Sequence, residues 1–197
     1  MAPDISPIVL LFASIFTSNI LLANFLGMCS FISISKDMKS ANGLGMAVTV
    51  VLTITSILNW ILLKYVLMPL DILYLQYIIF IIVIAATVQI LEMVIDRVSP
   101  ALYISLGIFL PLITVNCAIL GVALFMQIRN YSFFQTIIYS FGSGIGWWLA
   151  IMALAAINKK IEKSPVPAGL SGPGITLVTI GFIAMAFIGF SGMLNVQ

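Results

Sequence analysis

The spacing of its charges constrains this chain more than any other feature. Charged residues fall in short clusters: Lys36, Asp37 and Lys39; Lys64 and Asp71; Asp96 and Arg97; Arg129; and Lys159, Lys160, Glu162 and Lys163. Only Asp4 and Glu92 stand elsewhere. Between the clusters lie apolar stretches at about 7–35, 43–64, 75–95, 101–127, 133–157 and 173–194. A helix needs about 20 apolar residues to cross the hydrocarbon core of a bilayer, and all six stretches reach that length. Composition leaves no soluble alternative. Hydrophobic residues make up 62% of the chain and charged ones 7%, against roughly 25% charged in soluble domains. The expected fold is an all-α integral membrane protein, one membrane domain over residues 1–197 with six transmembrane helices.

Several function classes drop out. A net charge of +2, with no basic stretch carrying stacking aromatics, gives nucleic acid no foothold. The chain has no histidine, which removes histidine-ligated haem, Ser-His triads and the commonest zinc ligand. Its two cysteines, 88 positions apart, make neither a disulfide framework nor a local zinc motif. Met1-Ala2-Pro3-Asp4 is not the basic start of a cleavable signal, and the apolar run after it is too long for one. Orientation follows from Lys and Arg, which concentrate on the cytoplasmic side. The first, third and fifth loops carry six of them and the second and fourth carry Lys64 and Arg129, so both termini are expected to face outward.

The first and fourth stretches are too long for one perpendicular helix, and each is disturbed near its centre. Asn19, Asn24 and Gly27 interrupt the first, and Gly107, Pro111 and Asn116 the fourth. Proline removes a backbone donor and crowds the preceding turn. Non-helical backbone at membrane depth persists only when protein buries it or it lines a cavity. Both stretches are therefore read as discontinuous helices. The halves share a layout: a broken helix with its cysteine (Cys29 or Cys117), a helix opening on Gly-x-Gly (Gly43 and Gly45, or Gly144 and Gly146), then a third helix. Three spans per half force the halves to run in opposite directions. The expectation is an inverted repeat, one half over about 5–95 and the other over about 101–195, with its site near the midplane.

Cys29 and Cys117 occupy equivalent points of that repeat. A free cysteine often packs as a small apolar side chain, and a secondary transporter or scaffold with incidental thiols fits the same spans. Equivalence beside two helix breaks favours chemistry. A disulfide relay calls for Cys-x-x-Cys, which is absent. Zinc would lack ligands. An iron–sulfur cluster is held by four thiolates, of which this chain supplies two, so a partner or a second copy would have to supply the others.

At this point the residues carry a resemblance. NFLGMCSF, LGIFLPLITVNCAILGVAL, VQILEMV, YSFGSGIGWWLA, VPAGLSGPGI and GFSG resemble the NqrE/RnfA family across essentially the whole chain. Gly27 to Phe31 and Gly142 to Trp147 look like the NqrE branch; Met68 to Leu75 looks closer to RnfA. The resemblance implies a membrane subunit of a sodium-translocating NADH:quinone (ubiquinone) oxidoreductase, or next to it the Rnf ferredoxin:NAD+ oxidoreductase. The subunit would lie in the bacterial inner membrane with its termini on the periplasmic side. It implies a homologous partner of opposite orientation (NqrD-like or RnfE-like). It also implies an intramembrane [2Fe-2S] cluster ligated here by Cys29 and Cys117, with Asn24, Gly27 and Asn116 around it. Flavins and NADH would bind other subunits, since no nucleotide fingerprint is present.

Glu92, near the cytoplasmic end of the third stretch, is the remaining candidate. An intramembrane carboxylate is a functional hypothesis by default, here an uptake point for sodium with Gln89 one turn earlier. The competing reading is an interfacial partner of Arg97 or Lys159. Pro165, Pro167 and Pro173 mark the fifth loop as an irregular docking surface, and Trp60, Trp147 and Trp148 need no role beyond packing or the interface belt.

Overall fold

The computed structural model describes residues 6–34, 38–98, 113–164 and 172–191. Those residues are helical, with no strand among them. Three helices are long and apolar enough to cross a membrane: Met38–Leu70, Leu73–Val94 and Phe133–Ile161. Pro7–Thr17, Cys117–Ile128 and Pro173–Gly189 are shorter apolar helices.

The first apolar stretch is not one helix. Helix α1 (Pro7–Phe12) loosens into a π-turn over Ala13–Thr17, whose end is marked by Ser18 N–H donating to Ala13 O. Residues 18–27 are irregular turns, and helix α2 restarts at Met28 and runs to Ile34. Phe25 (φ 54°) and Gly27 (φ 88°) both take the left-handed region, which breaks the helical path twice within three residues. Backbone groups opened here must find partners, because no water is available in hydrocarbon. Asn19 supplies them: buried, it accepts from Leu21 N–H (3.0 Å) and Leu22 N–H (3.3 Å) and donates to Ile15 O (2.9 Å).

Helix α3 (Met38–Leu62) continues through a π-turn (Leu63–Leu67) to Leu70 and stops at Asp71, which is left-handed at φ 58°. It is thus longer at both ends than the sequence pattern marks, because in a uniformly apolar helix neither periodicity nor polarity signals the terminus. Helix α4 (Gln76–Val98) buries the stripe Phe80, Ile84 and Val88 and leaves most of its length on the surface. In the fourth stretch, residues 101–112, with Gly107 and Pro111, lie outside the described residues. A new helix, α5 (Cys117–Ile128), starts after the turn at Val115 and Asn116. Ser132 and Gln135 form a capping box for α6 (Phe133–Ile161), and α7 (Pro173–Ser191) completes the described chain.

The core sits where α3 crosses α6. A Cβ on Gly45 would lie 2.0 Å from Trp148 Cδ1, and one on Gly144 would lie 2.9 Å from Thr49 Cα. Further along α3, Trp60 donates to Tyr131 O (3.0 Å) and packs edge-on against Phe133. Residues 45, 49 and 60 of α3 thus meet 148, 144 and 131–133 in turn, so the two helices run antiparallel. The sequence expectation of helices that open on Gly-x-Gly is corrected here. Gly144 and Gly146 lie in the middle of α6, and Gly43 and Gly45 lie inside α3. These glycines let the backbones approach, as small residues do between membrane helices; they mark the crossing, not a start.

Candidate functional site

The two interruptions meet. Cys117 is the first residue of α5, and its helix is capped by Asn116, whose Oδ1 accepts from Ala118 N–H (3.0 Å). Cys29 is the second residue of α2. Gly27, at the end of the first break, donates its N–H to Cys117 Sγ at 2.9 Å. Asn116 Nδ2 donates to Ser30 Oγ (3.3 Å), and Ser30 Oγ donates to Gly27 O (3.2 Å). Residues about 90 positions apart in sequence are thereby tied in one polar circuit around the two cysteines. Ser30, Asn116 and Gly27 are buried, while both thiols are free and exposed on the surface of the chain.

Glycine is required at 27 for two reasons. Its φ is positive, and a Cβ there would lie 2.6 Å from Trp147 Nε1, 3.1 Å from Ala118 Cβ and 3.2 Å from Asn116 Oδ1. Only a bare Cα lets the turn sit low enough for its N–H to reach the sulfur. The start of α5 adds the positive end of a helix dipole, which favours negative charge on Cys117 Sγ.

The donor set can be tested against the group it is expected to hold. Among the described residues no cluster of three or more His, Cys, Asp or Glu side chains exists. Two outward-facing thiols with a backbone N–H on one of them match half of an iron–sulfur site, and fall two ligands short of a zinc site. The missing ligands would have to approach from outside the chain, on the face where the thiols are exposed.

Of the other sequence candidates, Asn24 is exposed on the turn, and Asn19 is the asparagine that satisfies the opened backbone. Glu92 is half-buried, one turn beyond Val88 on the buried stripe of α4, and takes no part in the cysteine circuit. Gln89 is exposed on a neighbouring face. Among the described residues no ion pair joins Glu92 to Arg97 or Lys159. Ser30 and Trp147 escaped sequence reasoning: a serine and a tryptophan in apolar helices carry no local signal, and their partners lie in the other half of the chain.

A family profile described as "Rnf-Nqr subunit, membrane protein" matches residues 8–194. The chain belongs to that family. Among curated relatives, it is similar to a Na(+)-translocating NADH-quinone reductase subunit, of the NqrE type, from Proteus mirabilis, with 53% identity over 186 residues that cover 91% of this chain and 94% of the relative. It is likewise similar to the same component of that reductase from Marinobacter nauticus, at 51% identity over 194 residues, 93% of this chain and 96% of the relative. The Rnf-Nqr match spans both cysteine-bearing helix starts and the crossing helices.

Proposed function

We propose that this Rnf-Nqr family member is a membrane subunit of a sodium-translocating NADH:quinone reductase, in which Cys29 and Cys117 provide half of the ligands of an intramembrane [2Fe-2S] cluster. A homologous subunit of opposite orientation, NqrD-like in character, provides the other half. The single observation that carries this reading is the joining of the two interruptions, with Gly27 N–H on Cys117 Sγ and both thiols exposed. A thiol pair that served only to pack would be buried, as free cysteines usually are. Relatives that bear the name of the sodium-translocating reductase favour this branch over the Rnf complex.

The topology belongs to the same proposal: six spans in two inverted three-helix repeats, termini outward, in the bacterial inner membrane. The antiparallel crossing of α3 and α6, each following its own cysteine-bearing helix, supports it.

Such a cluster, when bound, accepts and donates one electron at a time. This chain's residues do the rest. Cys29 and Cys117 hold it from two different helices, so its position is set by the α3–α6 crossing and not by one flexible loop. Ser30 and Asn116 lock the two helix starts together. The Gly27 N–H and the start of α5 stabilise negative charge on the Cys117 sulfur. Flavin and nicotinamide chemistry lies on other subunits.

Affinity purification of this chain from mildly solubilised membranes tests the assignment. The expected result is co-purification of a homologous membrane subunit, with sodium-stimulated NADH:quinone reductase activity in the fraction. A chain that purifies alone, without any such activity, would overturn it.

A further inference from the structure

The chain has three tryptophans, and two have their indole N–H satisfied. Trp60 donates to Tyr131 O (3.0 Å) and Trp148 to Asn42 Oδ1 (3.2 Å). Trp147 is different: the residue is fully buried and its Nε1 has no hydrogen-bond partner. A buried donor without an acceptor is costly, and in native structures it calls for an explanation.

Its location supplies one. Trp147 Nε1 lies against Gly27, 2.6 Å from where a Cβ on that residue would stand. Asn116 Oδ1, a side-chain acceptor bordering the same crevice, already accepts from Ala118 N–H. The same Gly27 gives its own N–H to Cys117 Sγ. The unpartnered indole N–H therefore ends in a crevice bounded by Gly27, Asn116 and Ala118, at the base of the Cys117 side chain.

We propose that Trp147 is a positioning residue for the Cys117 sulfur, holding the Gly27 turn against it and keeping an indole N–H in reserve as a second donor when that sulfur carries the added negative charge of a reduced iron–sulfur centre. This rests on the ligand reading above. An indole N–H suits the task because it donates only and stays protonated, so it neither competes for metal nor exchanges a proton with the site. Donors to cluster sulfurs favour the reduced state and raise the reduction potential.

The test uses the intact complex carrying Trp147→Phe, which keeps an aromatic ring and removes the N–H. Redox titration monitored by EPR is the readout, with Trp148→Phe as control and Cys117→Ala to identify the signal. The expected result is a retained signal whose midpoint moves to lower potential in Trp147→Phe and stays put in Trp148→Phe. A retained signal with an unmoved midpoint would overturn the inference. Should Trp147→Phe lose the signal through misfolding, benzothienylalanine at 147 keeps the bicyclic shape without the N–H, and the same midpoint comparison decides. A wild-type signal that survives Cys117→Ala would instead overturn the ligand reading itself, and this inference with it.

Discussion

Gly27→Ala is the sharpest perturbation of the cysteine circuit. The added methyl forces an L side chain into a backbone with φ 88°, which costs about 1–2 kcal/mol. It also meets three neighbours at once: Trp147 Nε1 at 2.6 Å, Ala118 Cβ at 3.1 Å and Asn116 Oδ1 at 3.2 Å. Trp147 is fully buried and Ala118 is part of α5, so neither can swing aside, and overpacking of this kind costs about 1–3 kcal/mol. Displacing the turn also loosens the N–H contact to Cys117 Sγ, worth about 1 kcal/mol. Together these give roughly 3–6 kcal/mol, a large share of the roughly 5–15 kcal/mol that typical domains possess. The assay is thermal unfolding of the purified complex by fluorescence-detected size exclusion, with iron content measured on the same samples. Gly181→Ala is the control: a Cβ there meets nothing within 4 Å, and Ala improves helix propensity by roughly 0.5–1 kcal/mol. The expected result is a lower melting temperature and lost iron for Gly27→Ala only. Equal melting temperatures and equal iron in the two variants would refute the steric argument.

Three further outcomes follow from the same geometry. Asn19→Ala leaves Leu21 N–H and Leu22 N–H without their acceptor, at about 1–3 kcal/mol for each buried donor; a clear loss of thermal stability is expected, larger than for Asn24→Ala at the exposed end of the turn. Gly144→Ala puts a methyl 2.9 Å from Thr49 Cα, a backbone atom that cannot yield by rotation, so it should destabilise by about 1–3 kcal/mol in the same melting assay. Glu92→Gln removes a half-buried carboxylate and is expected to raise the sodium concentration for half-maximal turnover roughly tenfold, the equivalent of about 1.4 kcal/mol; an unchanged sodium dependence would remove Glu92 from the ion path.

Much of this architecture was legible in the residues, and the rest was hidden for physical reasons. Interruption of the first stretch could be read from Asn19, Asn24 and Gly27, because amides and a glycine in hydrocarbon need a backbone reason to be there. Which asparagine would turn inward could not be read, since that depends on the direction the chain takes after Ser18. The glycine pairs were visible as a repeated motif but not as a crossing: their meaning comes from Trp148 and Thr49, which lie a half-chain away. The Asn116–Ser30 bond and the Gly27–Cys117 contact are likewise products of tertiary packing, with no local pattern to announce them. Helix ends failed for a simpler cause. Where nearly every residue is apolar, α3 can run past Lys64 to Leu70 without changing the pattern that would mark its end.

The most direct test of the ligand proposal is EPR and iron analysis of the intact complex with Cys29→Ala and Cys117→Ala, each compared with wild type. The account predicts that both variants lose the same [2Fe-2S] signal, and to the same extent, because each removes one of the two ligands this chain provides. An unchanged signal and unchanged iron in either variant would contradict it and leave the two thiols as surface residues of a membrane subunit with some other task.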